Sequence, residues 1–270
     1  MKIFLVGDIV GSPGRRIFRE VVKRLRGENV VQAVVVNGEN AAAGNGITLA
    51  LAGELFAGGA DVVTLGDHVW GQKEMESTIA GEKRLLRPAN FPAGTPGQGF
   101  VTVQTPLGPI TVVNVLGRVF MNPVDCPFRA MDAVLKAVPG NVPVLVDFHA
   151  EATSEKIAMG YYLDGRVAAV FGTHTHVQTS DAAILPKGTA YMTDLGMTGP
   201  AYSVIGREIA PVLKKFTTGL PAKFDVAGGP CVLEGAILEL DRASGRAVSL
   251  TPYRCREPDG AAPRPSGQGA

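Results

Sequence analysis

The segment KIFLVGD, residues 2–8, places a short, mostly apolar run directly before a glycine and a carboxylate. The same order recurs where residues 33–36 precede the polar residues 37–40, and where residues 61–65 precede the polar residues 66–68. After the first and second apolar runs, hydrophobic residues recur at the spacing of one face of a helix. Short apolar strands that alternate with helices predict an α/β fold with a parallel sheet covered by helices.

The rest of the chain continues with strands, helices and turns and contains no clear linker, so we expect a single domain over residues 1–256. The further predicted elements are a helix that begins at Ser12 as its N-cap, a helix over 48–56, a hairpin of 100–103 and 110–115, a helix over 128–138, strands at 144–148 and 167–171, and a closing hairpin of 232–240 and 247–253. Residues 197–225 are expected to form an insertion or cap-like segment with a helix over 209–216. Residues 257–270, rich in Pro, Gly and Ala, are expected to be disordered.

The composition limits the kinds of molecule that the chain is expected to bind. The chain has 270 residues, of which 46% are hydrophobic, and a formal net charge of +1. This balance predicts no extended basic surface for a nucleic-acid backbone, and so favours a small-molecule substrate. Three widely spaced cysteines form no disulfide framework, which favours a reducing cytosol.

The apolar runs are all shorter than a signal peptide or a membrane span requires. We therefore expect a cytoplasmic protein with no membrane partner. The sequence leaves open whether the chain forms a homo-oligomer.

Potential metal ligands follow five of the predicted strands. They are Asp8, Glu39, Asn40, Asp67, His68, His149, His174 and His176, and they include all four histidines of the chain. Because parallel strands place their carboxyl ends at one edge of a sheet, these side chains are expected to converge. Mixed oxygen and nitrogen ligands suit iron, manganese or zinc. Their number exceeds what one tetrahedral ion needs, so two metals fit better, with Glu39 as the best-placed bridge.

Each of these residues has an ordinary interpretation when it is considered alone. Asp8 could cap a turn or helix, residues 37–40 could form a turn, and His68 could lie on a surface loop. His174 and His176 are more specific, because i and i+2 residues lie on one side of an extended segment. Their joint occurrence at equivalent strand ends favours a site. Trp70 could stack on a base, although packing is the commoner use.

The motifs together resemble those of the calcineurin-like metallophosphoesterases, and more narrowly their bacterial YmdB-like branch. The resemblance rests on the runs at 6–15, 37–42, 66–68, 87–92, 147–156, 172–179 and 185–199. It implies a four-layer α/β/β/α sandwich with the site at the C-terminal ends of the strands. The residues alone do not predict the second sheet.

The resemblance also implies a two-metal phosphodiesterase for 2′,3′- or 3′,5′-cyclic nucleotides, with iron or manganese as the metals. By position, one metal would be held by Asp8, Glu39, Asn40 and His176, and the other by Glu39, Asp67, His149 and His174. A hydroxide bridging the metals would attack phosphorus, and His68 would act as the general acid rather than as a ligand.

Two other functions remain open from the sequence. One is a regulatory or scaffold protein whose metal site is structural, and the other is a metal-dependent nuclease or phosphomonoesterase. His68 favours catalysis, because a structural site has no use for a histidine that is not a ligand. The near-neutral charge disfavours long nucleic acids as substrates.

The sequence departs from the wider superfamily at two positions. Val10 stands where the first motif usually has a histidine ligand, and Asp67 stands where the third motif usually has an asparagine. Two divalent ions carry four positive charges, which three carboxylates (Asp8, Glu39 and Asp67) and a hydroxide would neutralise.

We predict that Asp67→Asn, which leaves one positive charge at the site, strengthens phosphate binding and Lewis acidity while weakening the hold on its metal. The expected result is a higher kcat or a lower KM in assays at saturating metal. Unchanged kinetics at full metal occupancy would contradict this prediction.

Overall fold

The computed structural model describes residues 1–258. Its helices are α1 (Gly11–Gly27), α2 (Leu49–Ala57), α3 (Met75–Thr78), α4 (Pro127–Ala137), α5 (Thr153–Leu163) and α6 (Ile209–Thr218). Its strands are β1 (Lys2–Val6), β2 (Asp8–Ile9), β3 (Ala33–Asn37), β4 (Val62–Thr64), β5 (Leu85–Leu86), β6 (Phe100–Thr105), β7 (Gly108–Leu116), β8 (Val144–His149), β9 (Ala169–Thr173), β10 (Ala183–Ile184), β11 (Ala190–Met192), β12 (Met197–Pro200), β13 (Cys231–Leu240) and β14 (Ala247–Arg256).

The strands form two sheets. The first has the order β2-β12-β13-β1-β3-β4-β5, with β14 also paired to β13. The second has the order β10-β11-β9-β8-β7-β6. Parallel pairing of β1 with β3 and of β3 with β4 directs their carboxyl ends to one edge. The parallel pairs β7–β8 and β8–β9 do the same in the second sheet.

Alternating residues of each strand supply separate core layers. Ile3 and Leu5 of β1 belong to the core shared by the two sheets, together with Phe171 of β9. Phe4 of β1 instead packs with Phe18 of α1 on the outer face. The outer face of the second sheet packs against α4 and α5. The result is the four-layer α/β/β/α sandwich that the resemblance implied.

The predicted secondary structure agrees with the fold at most of the longer elements, but helix α3 and the short strands β2 and β5 were not predicted. α1 begins at Gly11, with no side-chain cap and with Ser12 exposed, so the predicted Ser12 N-cap is wrong. The expected insertion begins with a core strand, because β12 pairs with both β2 and β13. Helix α5 and the short strands β10 and β11 were not predicted.

The C-terminal prediction falls mostly outside the described residues, which end at 258. Glu257 is described, and its carboxylate accepts hydrogen bonds from the Arg16 guanidinium and from the Cys231 N–H. Within residues 1–258, each helix is too short or too polar to span a membrane.

A close backbone contact at Gly7 sets the path of the chain into the first motif. The Gly7 N–H donates to Glu234 O at 3.0 Å, and the Asp8 N–H donates to Gly196 O at 3.2 Å. A Cβ on residue 7 would lie 2.1 Å from the Gly196 carbonyl oxygen. Only glycine permits this approach, which carries the chain from β1 to Asp8.

We predict that Gly7→Ala destabilises the protein by about 2–3 kcal/mol, because backbone atoms must move to admit the methyl group. Gly27→Ala, at the end of α1, is the matched control, since a Cβ there meets no atom within 4 Å. The control should be neutral or slightly stabilising. Urea unfolding of both variants provides the measurement, and equal midpoints would contradict the prediction.

Candidate metal centre

The eight predicted site residues lie at the carboxyl ends of strands from both sheets. Asp8 is in β2, while the pairs Glu39–Asn40 and Asp67–His68 follow β3 and β4. In the second sheet His149 ends β8, and the segment 174–176 follows β9. The site is therefore built where the same edges of the two sheets meet.

Four of these residues converge on one point. One ligand atom from each of Glu39, Asp67, His149 and His174 lies within 4.8 Å of all the others. His149 Nε2 is 3.1 Å from Asp67 Oδ1 and 3.3 Å from Glu39 Oε1. His174 Nδ1 is 3.0 Å from His149 Nε2. Two carboxylates and two imidazoles are a suitable donor set for a borderline first-row metal.

The carboxylates of this cluster need positive charge nearby to balance their own. Burial acts to raise the pKa of Glu39, but the neighbouring His149 and His68 imidazoles hold it below its usual range. Burial acts to lower the pKa of His149, but Glu39 and Asp67 raise it well above its usual value. Without a cation, protons must therefore be shared within the cluster, and a bound metal would replace them.

A second group of polar side chains, Asn40, His176 and Asp8, lies beside this cluster. Asn40 Nδ2 lies 3.0 Å from Glu39 Oε1 and 3.2 Å from His176 Nε2. Asp8 is fully buried, and its Oδ2 accepts the His174 N–H at 3.1 Å. Burial raises the pKa of Asp8 against the opposing effect of His176 and His149.

The other Asp8 oxygen has no hydrogen-bond partner. Asp8 Oδ1 is buried, and the nearest imidazole nitrogen, His176 Nε2, is 3.7 Å away. An orphaned buried carboxylate oxygen is costly unless a cation or a proton satisfies it. The residues present therefore fit a metal ion at this position as well as at the four-donor cluster.

His68 occupies the rim of the site rather than its floor. Its Nδ1 is 2.9 Å from Asn40 Oδ1 and 3.3 Å from Glu39 Oε1, while 39% of its side chain is exposed. The hydrogen bond to Glu39 raises the pKa of His68. His68 Nε2 is 3.9 Å from the closest Asp67 oxygen, beyond hydrogen-bond distance, so this nitrogen remains available to another molecule.

A buried relay behind His149 was not found from the sequence. The Thr173 hydroxyl donates to Asp147 Oδ1 at 2.7 Å, and its oxygen lies 2.9 Å from His149 Nδ1. Thr173 therefore accepts the Nδ1 proton, which directs the Nε2 lone pair of a neutral His149 toward the donor cluster. Burial raises the pKa of Asp147 to about 6. The available signal was an aspartate two residues before His149 in an otherwise apolar strand.

A buried ion pair that supports the loop of His174 and His176 was also missed. Lys156 Nζ donates to Asp194 Oδ2 at 2.6 Å and to Thr173 O at 2.8 Å, and both charged side chains are at most 1% exposed. The Thr175 N–H donates to Asp194 Oδ2 at 3.2 Å. These bonds hold a loop in which both histidines have positive φ angles.

A two-sheet sandwich with carboxylates and histidines at its strand ends defines a protein of the metallophosphoesterase type. The model of the family described as YmdB-like protein matches residues 4–253, and the chain belongs to that family.

Three relatives are similar over nearly their whole lengths. A 2′,3′-cyclic-nucleotide 2′-phosphodiesterase of Bacillus subtilis is 45% identical over 251 residues, which are 93% of this chain and 95% of that protein. A hypothetical protein from Thermus thermophilus superposes with a TM-score of 0.90 at 43% identity, covering 96% of this chain and 100% of that one. A novel phosphatase from Mycoplasma pneumoniae gives a TM-score of 0.90 at 33% identity, covering 96% and 95%. The Bacillus relative confirms the prediction that the chain is an enzyme.

We predict that Lys156→Met destabilises the protein by about 3–5 kcal/mol, because it leaves the Asp194 carboxylate buried without its partner. Metal affinity should fall with it, since the loop of the two histidines loses its support. The double variant with Asp194→Asn should recover part of the stability. Lys23→Met, on the exposed face of α1, is the control. Urea unfolding and metal titration measure both effects, and equal loss in all variants would contradict the prediction.

Proposed function

We propose that this chain is a dinuclear-metal-dependent phosphodiesterase that hydrolyses small phosphodiesters, above all cyclic nucleotides. The observation that carries the proposal is the four-donor cluster, whose atoms lie within 4.8 Å of one another, together with the unpaired buried Asp8 oxygen 3.7 Å from His176 Nε2. The name of the Bacillus subtilis relative supports 2′,3′-cyclic nucleotides as the first substrates to test.

The two metals would be held by two sets of ligands that share Glu39. The sets are Asp8, Glu39, Asn40 and His176 for one metal, and Glu39, Asp67, His149 and His174 for the other. The mixed donors suit iron, manganese or zinc. The family resemblance favours iron or manganese among them. When bound, such metals neutralise phosphoryl oxygens and lower the pKa of water from about 15.7 to near 7.

The chain itself supplies the proton for the leaving group. Asn40 and Glu39 engage His68 Nδ1 and orient the ring, which leaves Nε2 for the departing ribose oxygen. The buried relay through Thr173 and Asp147 holds His149 in the tautomer that a metal ligand requires.

The proposal is tested by loading the enzyme with iron, manganese or zinc and comparing bis-p-nitrophenyl phosphate with p-nitrophenyl phosphate. Hydrolysis of the diester alone supports it. A panel of 2′,3′- and 3′,5′-cyclic nucleotides then assigns the substrate. Preference for the monoester would instead indicate a phosphomonoesterase, and no turnover with any metal would indicate a structural site.

We predict that His68→Ala retains both metals and lowers kcat by about 10²–10⁴-fold, the usual contribution of a general acid. His149→Ala is the contrasting variant, and it should lose metal as well as turnover. Metal analysis and steady-state kinetics distinguish the two. Loss of metal from His68→Ala would identify His68 as a ligand and contradict the proposed role.

A further inference from the structure

The loop after β7 leaves the second sheet next to a proposed metal ligand. Leu116, the last residue of β7, is the register partner of His149, and the Gly117 N–H donates to His149 O at 2.9 Å. Because β7 and β8 are parallel, residues 117–121 emerge at the same edge as the site. Phe120 is three residues beyond Gly117, which limits their separation to about 11 Å even for extended chain.

A carboxylate from α5 fixes the start of this loop. Glu155 is 9% exposed, and its two oxygens accept the Arg118 N–H at 3.0 and 3.1 Å. Glu155 Oε2 also accepts the Val119 N–H at 3.2 Å. Two backbone amides held by one nearly buried carboxylate make the loop a built feature rather than a loose connection.

Phe120 lies in this loop in a conformation that disfavours its own side chain. The Met121 N–H points to Arg118 O at 3.4 Å, so Val119 and Phe120 are the central residues of a turn. Phe120 has φ +63°, at the turn position where glycine is favoured, and it is 88% exposed. The positive φ angle costs folding free energy, the exposed ring gains little from burial to offset it, and backbone strain of this kind collects at functional sites.

We propose that Phe120 is the platform on which the nucleobase of the substrate stacks, an inference that rests on the proposed function. A flat, exposed ring, in a loop whose first residue bonds to the backbone of the proposed ligand His149, offers the π-face that any base can use. Trp70, an aromatic residue two positions beyond His68, is half-buried and packs against Phe91 at 6.3 Å between ring centroids. Phe120 is therefore better suited to meet a ligand from solvent.

The test compares adenosine 2′,3′-cyclic phosphate with an abasic analogue, the 2′,3′-cyclic phosphate of methyl riboside. For Phe120→Gly, KM for the nucleotide should rise about 5- to 150-fold, as expected for loss of one stacked base, while kcat changes little. KM for the abasic analogue should not change. The melting temperature should stay the same or rise, since glycine suits the turn.

Two further variants separate stacking from a structural effect. Phe120→Trp, which keeps an aromatic ring at this position, should keep KM for the nucleotide as low as in the wild-type enzyme. Tyr161→Ala removes an aromatic side chain that is 61% exposed, about 12 Å along α5 from its first turn, and should leave both substrates unaffected.

The result that would contradict the stacking role differs from the result that would contradict the proposed function. If the wild-type enzyme hydrolyses both compounds and Phe120→Gly leaves the ratio of their KM values unchanged, the stacking role is wrong and the proposed function stands. If the metal-loaded wild-type enzyme hydrolyses neither compound, and also fails with bis-p-nitrophenyl phosphate and 3′,5′-cyclic nucleotides, the proposed function is wrong and the stacking role falls with it.

Discussion

Everything at the proposed centre depends on one buried negative charge, the carboxylate of Glu39. This side chain is 1% exposed and lies between His68, His149 and Asn40. A carboxylate so far from water must be compensated by nearby positive charge and hydrogen bonds. The fold meets this requirement by directing the carboxyl ends of parallel strands from two sheets toward the same region. The close packing of Gly7 on Gly196 is part of the same arrangement, since it brings Asp8 beside the partners of Glu39.

The sequence predicts the residues of this centre better than it predicts the fold that assembles them. The proposed ligands could be expected to converge because each follows an apolar run, and parallel strands share an edge. Membership of the second sheet could not be found in this way. Residues 33–36 form a continuous apolar run, and residues 144–148 form an apolar run interrupted only by Asp147, as expected for strands buried on two faces. Neither pattern shows to which sheet the strand belongs. The sandwich was predicted from the family resemblance and not from the hydrophobic periodicity of the sequence.

The elements that were missed have physical reasons for their weak signals. β12 contains Gly199 and Pro200 and is a strand because it pairs with β2 and β13, which are distant in sequence. α5 buries Glu155 and Lys156 beside Met159 and Leu163, so its inward face is only partly apolar and its helical pattern is obscured. The partner of Lys156 is 38 residues away at Asp194, and no local pattern reveals such a pair. Polar residues that support a site are thus the hardest to place from sequence.

The residues of the site fall into two groups that differ in how deeply their side chains are buried. The proposed ligands Asp8, Glu39 and His149 are at most 1% exposed and lie on or directly after strands, where packing fixes their positions. His68 and Phe120 are far more exposed and lie on loops, where a substrate can reach them. A rigid floor suits metal chemistry, which tolerates little displacement of ligands, whereas a loop can change its side chains at small cost to the core. Substitutions at residue 120 should therefore alter the choice of substrate without altering the metals. Substitutions at Glu39 should abolish metal binding and, with it, turnover of any substrate, since the Glu39 carboxylate is common to the two proposed ligand sets.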